Sequence, residues 1–191
     1  RDPEMSRGLG DVYKRQYMYQ GEYNQAEKLL GKVISNGFYE LDASNYNDKE
    51  TITSLFNNGS DKETIFATHN EPQIRGNISL GTPMLVPIMT YTDVVLSYAE
   101  SLFKNGKTTE AESQLQKVVT AKHISITGGN TLEKIKNARL QLMLYTNTNF
   151  AFMKRNNFAK DVYGIEEYRQ LLPIPEQELM TNPSMTQNPG Y

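Results

Sequence analysis

The chain has 191 residues, with 20 Lys plus Arg set against 22 Asp plus Glu, for a net charge of −2. That length is enough for one ordinary domain with a buried core, and so balanced a charge excludes a binder that lives on phosphate contacts, so no nucleic-acid partner is expected. The absence of Cys excludes a disulfide framework, a thiolate metal site and a Cys nucleophile, and no run of about 18 apolar residues is present to cross a membrane as a helix.

Residues 1–16, RDPEMSRGLGDVYKRQ, show neither helical nor strand period and lack the apolar core of a signal peptide. They read as a non-native lead of vector or adaptor origin, the alternative being a native basic tail. The expected domain is therefore 17–191, with the true N-terminus missing.

From Tyr17 the pattern becomes helical. Gly21-Glu22-Tyr23-Asn24-Gln25-Ala26-Glu27-Lys28-Leu29-Leu30-Gly31-Lys32-Val33-Ile34 aligns without gaps on Gly106-Lys107-Thr108-Thr109-Glu110-Ala111-Glu112-Ser113-Gln114-Leu115-Gln116-Lys117-Val118-Val119. Ala26, Leu30, Val33 and Ile34, like Ala111, Leu115, Val118 and Val119, recur at i, i+4, i+7 and i+8, one face of a helix. Asn24 and Thr109 are read as N-caps, each with a Glu three residues on, Glu27 or Glu112, at capping-box spacing. A helix rich in apolar residues, Val94–Phe103, precedes Gly106, whereas only Tyr17, Met18 and Tyr19 precede Gly21, so the first partner helix is expected to be cut away. Helix, glycine turn, and a second helix with a small Ala near its start form the pattern of a tetratricopeptide-type unit, with a generic αα-hairpin as the alternative.

Asn36 to Pro87 is read as a loop-rich, irregular insertion. Gly37–Leu41 and Glu63–Thr68 look like short strands or extended segments around a polar stretch, and Gly76, Gly81, Pro83 and Pro87 then break structure. A helix is expected over Thr131–Tyr145, with Leu132, Ile135, Ala138 and Leu142 on one side, while 146–158 is ambiguous between helix and turn. Pro173, Pro175, Pro183 and Pro189 are half of the eight prolines. They predict an extended tail that is ordered by docking, interrupted by a short helix starting at Pro175 and running through Met180. The fold class is thus mainly α.

Candidate chemistry is sparse. Asp42, Asn45, Asn47, Asp48 and Glu50 do not fit an EF-hand and read as a solvated turn. His69 and His123 have no i, i+4 partner, so no metal is expected. No nucleophile-elbow pattern is present, and Glu176 and Glu178, two apart, do not face each other on a helix. They suit a helix N-terminus instead. No catalytic residue and no cofactor are assigned.

Three blocks together resemble the SusD/RagB family of bacterial glycan-binding outer-membrane lipoproteins. The tail, Leu172-Pro173-Ile174-Pro175-Glu176-Gln177-Glu178-Leu179, then Asn182-Pro183 and Gln187-Asn188-Pro189-Gly190-Tyr191, is similar to the family's C-terminal signature almost residue for residue. Tyr91–Glu100 is similar to its arginine-tyrosine-x-aspartate helix, with Thr90 in place of the usual Arg. Gly21–Leu41 resembles a helix ending in a glycine-tyrosine-x-leucine step, here Phe38-Tyr39-Glu40-Leu41. Ala138-Arg139 and Asn147-Thr148-Asn149-Phe150 depart from the family pattern, which bears on the sub-family.

The resemblance implies a SusD-like, mainly α fold built on tetratricopeptide-like hairpins, and 17–191 as a truncated C-terminal portion of a longer protein. It implies a non-enzymatic protein at the external face of the outer membrane, held by a lipidated N-terminal Cys that this chain lacks. That protein would pass oligosaccharides to a TonB-dependent, SusC-like transporter. A protein-interaction scaffold with no ligand site of its own is the alternative. Sugar binding calls for amphipathic rings and planar hydrogen-bonding groups. The insertion offers Tyr46, Asn70, Arg75 and Asn77 as candidate ligand-binding residues, while Tyr39 and Phe66 read as core and Asn45, Asn47, Asn57 and Asn58 as turn formers.

Overall fold

Gly21 and Gly106 both adopt left-handed backbone, at φ +76° and +80°, with open space where a side chain would stand. In each turn the next residue bonds back across the helix end. Glu22 N–H donates to the Tyr17 carbonyl at 2.9 Å and Lys107 N–H to the Leu102 carbonyl at 2.9 Å. This is the Schellman ending, in which glycine supplies the conformation other residues resist. In this computed structural model, which describes residues 13–43, 62–70, 73–75, 78–80, 84–143 and 147–191, the sequence repeat is therefore a repeat of hydrogen bonds as well. The chain divides into two compact units, Arg1–Thr146 and Asn147–Tyr191.

In the first unit, residues 13–20 are helical (α1), so Gly21 does have a partner helix before it, with Met18 buried. α2 spans Tyr23–Ser35, α3 Tyr91–Lys104, α4 Thr108–Ala121 and α5 Thr131–Leu142. α3 is the centre of the core and packs on α2, α4 and α5. Its sequence explains this: Val94, Val95, Leu96, Ala99 and Leu102 leave few directions polar, and all five are buried. Ala26 and Ala111, at matching places in the repeat, are fully buried with Leu30 and Leu115, as the periodicity requires.

The capping expectation is corrected. Each second helix starts straight from its turn, with Glu22 and Lys107 as caps and no side-chain cap bond, so Asn24 and Thr109 lie inside their helices. Glu27 and Glu112 then fall too far along to close a capping box. They point to the next element instead: Glu27 accepts from Asn105 Nδ2 and Lys107 Nζ, both at 2.6 Å, and Glu112 accepts from Lys134 Nζ at 2.9 Å and Thr131 Oγ1 at 3.2 Å. The true capping box belongs to α5, where Asn130 Oδ1 accepts from Glu133 N–H at 2.9 Å and Glu133 Oε2 accepts from Asn130 N–H at 3.3 Å. Ile135, Ala138 and Leu142 of α5 are buried, and the helix stops at Leu142, short of Tyr145.

The insertion is less irregular than its glycines and prolines suggest. β1 (Thr64–Asn70) pairs antiparallel with β4 (Met84–Thr90), and between them β2 (Gln73–Arg75) pairs with β3 (Ile78–Leu80). One hairpin is nested inside another. Pro87 lies within β4 opposite Ala67; a two-stranded ribbon has only edge strands, where a missing N–H is tolerated. Register shifts follow Thr64 and Phe66. Residues 37–42 form no strand, although Glu40 N–H bonds the Lys62 carbonyl at 3.3 Å.

The second unit holds α6 (Asn147–Arg155), α7 (Ala159–Tyr163), a 3-10 turn (Glu167–Gln170) and α8 (Glu176–Thr181). The ambiguous 146–158 stretch is thus mostly helix, with Phe152 and Met153 buried. Pro175 is the cap of α8, one position outside the expected start, and Glu176 and Glu178 occupy the first turn. The tail folds back on the segment before α8. Gln187 grips Ile174 from both sides, Oε1 accepting its N–H at 2.8 Å and Nε2 donating to its carbonyl at 3.0 Å. Asn188 Nδ2 donates to the Leu172 carbonyl at 2.7 Å, and Tyr191 Oη to the Leu171 carbonyl at 2.9 Å. Gly190, at φ +93°, lies against the Tyr168 ring, where an added Cβ would come within 2.4 Å of Cδ2. The Tyr168 and Tyr191 rings meet edge to face at 5.9 Å.

Candidate functional site: a hairpin with a buried charged root

Of the four residues singled out for ligand binding, Tyr46 and Asn77 lie outside the described residues. Asn70 ends β1, paired with Met84, and Arg75 ends β2, paired with Ile78. Backbone alone places both on the nested hairpin that leaves the helical frame after Glu63 and returns at Tyr91.

The root of that hairpin is built from charge. Tyr91 N–H donates to the Glu63 carbonyl at 2.8 Å. The Glu63 carboxylate accepts from Thr92 Oγ1, from Lys122 Nζ at 2.5 Å and from Asp42 N–H at 3.2 Å. Lys122 Nζ also lies 3.4 Å from Asp42 Oδ1. The side chains of Glu63 and Lys122 are both fully buried. Burial pushes the Glu63 carboxyl up to about 7, against the opposing pull of the Lys122 ammonium and the Thr92 hydroxyl.

A second buried cluster stands on the first turns of α3. Thr90, where the related motif usually carries Arg, serves as N-cap, its hydroxyl accepting from Asp93 N–H at 3.2 Å. Asp93 Oδ1 meets Arg139 Nη1 at 2.9 Å and Oδ2 meets Lys14 Nζ at 3.1 Å, and Arg139 Nη2 donates to Ser97 Oγ at 3.0 Å. Arg15 Nη2 donates to the Ile88 carbonyl of β4 at 3.1 Å. Burial alone would raise the Asp93 carboxyl, but the Lys14, Arg139 and Arg15 charges outweigh it and hold the group well below the ordinary aspartate range.

The sequence assigns Asp42 to a solvated turn and names Asp93 and Arg139 only within the family-like blocks, and it gives Lys122 and the Glu63 carboxylate no role, yet a signal exists. Lys122 continues the buried row Ala111, Leu115, Val118, and Arg139 sits in the row Ile135, Ala138, Leu142. A cation on an apolar stripe announces a buried partner, because an unpaired charge there is too costly. The carboxylates and cations at the centre of both clusters are buried against one another, which suits them to position the hairpin and the helix.

Comparison with known proteins gives a family match over part of the chain and a likeness of fold over nearly all of it. Residues 129–191, covering α5 and the whole second unit, match the SusD family. This stretch contains the tail block read above. Outside it, likeness of fold carries the relationship. A SusD-like protein from Bacteroides fragilis superposes with a TM-score of 0.75 at 11% identity, covering 97% of this chain and 65% of that one. A SusD superfamily protein from Bacteroides vulgatus gives 0.71 at 13%, covering 97% and 61%. Surface glycan-binding protein A from Bacteroides thetaiotaomicron gives 0.71 at 14%, covering 96% and 63%. The mostly helical architecture is therefore the SusD-like fold, and the chain spans less than two thirds of each of these relatives. No curated protein matches it in sequence. Among the described residues, no helix is long and apolar enough to cross a membrane.

Proposed function

We propose that this chain is the C-terminal portion, residues 17–191 behind a non-native lead, of a protein that binds oligosaccharide nutrients at the bacterial cell surface without transforming them. The complete protein sits at the external face of the outer membrane through a lipidated N-terminal Cys and delivers its ligand to a SusC-like TonB-dependent transporter. The observation that carries this reading is the SusD-family match over 129–191 joined to a fold likeness that extends over 97% of the chain, one of the similar structures being a surface glycan-binding protein. Asn70 and Arg75, with Asn77 and Tyr46, supply ligand contacts, since planar amide and guanidinium groups match the hydroxyl pairs of a sugar ring.

The complete protein on a glycan array, followed by a reducing-end assay on the polysaccharides it retains, tests the proposal. Retention without release of reducing ends is the expected result. Release of sugars would assign a hydrolase, and failure to retain any glycan would remove the binding role. The repeated Schellman turns and the matched Glu27 and Glu112 ties favour a second reading, a protein-interaction scaffold. Co-purification of the transporter with a blank array would select it.

A further inference from the structure

Two breaks in the helical frame of the first unit are tied at the same place. At one, Asp42 and Lys62 are brought together, this neck being closed by the Glu40 N–H bond to the Lys62 carbonyl at 3.3 Å and by the Lys62–Glu40 ion pair at 2.9 Å. The other is the nested hairpin, entered at Glu63 and left at Tyr91. Glu63 is common to both. Its carboxylate takes the Asp42 N–H of the neck and the Thr92 hydroxyl of α3, while its carbonyl takes the Tyr91 N–H where the hairpin closes. Lys122, the residue that ends α4, completes the node from the opposite side.

A fully buried ion pair is a poor device for stability, because an apolar pair of similar volume commonly does as well or better. Its bonds differ from apolar packing in being directional: each fixes where a backbone N–H or hydroxyl must stand. We infer that the Glu63–Lys122 pair is a positioning element that sets the angle at which the hairpin carrying Asn70 and Arg75 leaves the frame and couples that angle to the neck at Asp42. The inference rests on the hairpin being the ligand-bearing element, yet its structural half can be tested separately.

Three variants of the complete protein decide it: Glu63→Gln, Lys122→Met, and the double variant Glu63→Leu with Lys122→Met. Amide hydrogen exchange is followed at Asp42 and Tyr91, with Leu115 and Val118 of α4 as internal reference, and affinity is measured for the oligosaccharide best retained by the unaltered protein on the array. In each single variant, exchange at Asp42 and Tyr91 should rise together, by about tenfold or more, while Leu115 and Val118 stay protected. The double variant should keep or raise the melting temperature while exchange at Asp42 and Tyr91 stays fast and affinity falls by about tenfold, a split that a purely stabilising pair would not produce. A double variant with slow exchange at both sites and unchanged affinity overturns the inference, as does a Glu63→Gln response confined to one of the two amides. If the unaltered protein retains no oligosaccharide, the binding role proposed above fails, while the exchange data still decide whether the two breaks share a root.

Discussion

Glu63, bonded to the first turn of α3, and Asp93, within that turn, are both buried, and their carboxyls shift in opposite directions. Asp93 has two cations at bonding distance and its carboxyl is held down from 3.8. Glu63 shares one ammonium with Asp42 and its carboxyl is raised from 4.5 to about 7. For Glu63 the native state holds the proton more firmly than the unfolded chain does. Its contribution to stability is therefore complete below about 4.5 and is lost as the pH rises through about 7. For Asp93 the contribution is present above 3.8 and is lost as the pH falls below it. The unfolding free energy read from urea titrations is accordingly expected to decline between about pH 4.5 and 7, with a slope of up to about 1.4 kcal/mol per pH unit. Glu63→Gln, which keeps the shape but cannot titrate, should flatten that limb and leave the acid limb in place. A decline of the same size in Glu63→Gln would show that another group is responsible. At this scale the sequence was legible where backbone geometry dictates a residue, as at Gly21, Gly106 and Pro175. It was opaque at Glu63 and Asp93, because whether a lone carboxylate is buried depends on partners 59 and 46 residues away along the chain.

Among the elements, the helical hairpins were the most readable part because a repeat testifies twice to the same period. Ala26 and Ala111, Leu30 and Leu115 are buried in matching places. The caps were misread for a physical reason. The residue that closes each Schellman turn, Glu22 or Lys107, is itself the N-cap of the next helix, so the acidic residue meant for capping falls beyond the first turn and becomes a tie to another element. Of the nested hairpin only β1 was legible, as the extended segment Glu63–Thr68; β2 and β3 are three residues each, too short to show alternation, and β4 carries Pro87 in its interior. One position in α2 shows how much the repeat leaves unoptimised. Gly31 is inside the helix, and a Cβ built there would stand 3.7 Å from Tyr98 Cε2 and Oη of α3, an ordinary contact. Glycine pays full backbone entropy in a helix, so Gly31→Ala should stabilise the first unit by about 0.5–1 kcal/mol, read as a higher urea midpoint with unchanged slope. A loss of stability would mean that α2 and α3 need the closer approach that only glycine permits.

At the scale of the whole chain, α5 and the lead segment both reach one residue of α3, Asp93. The tail block falls inside the stretch that matches the SusD family, and the same stretch contributes Arg139, whose guanidinium crosses to Asp93 and Ser97. The opposite side of Asp93 is occupied by Lys14, from the segment read as a foreign lead. The two cations are not equivalent. Both are buried, but Arg139 reaches Asp93 and Ser97 with its planar fork, whereas Lys14 brings a point charge to Asp93. If the lead is foreign, the frame has been built around Arg139, and Asp93 without Lys14 remains paired. Removing residues 1–16 should then cost less than about 2 kcal/mol, whereas Arg139→Ala, which leaves the buried Asp93 carboxylate with Lys14 alone and takes a donor from Ser97, should cost about 3–5 kcal/mol. Denaturant unfolding of the two proteins side by side reads the difference. Equal losses would make Lys14 an integral part of the core and the lead a native segment, and the expected domain would then have to begin before Tyr17.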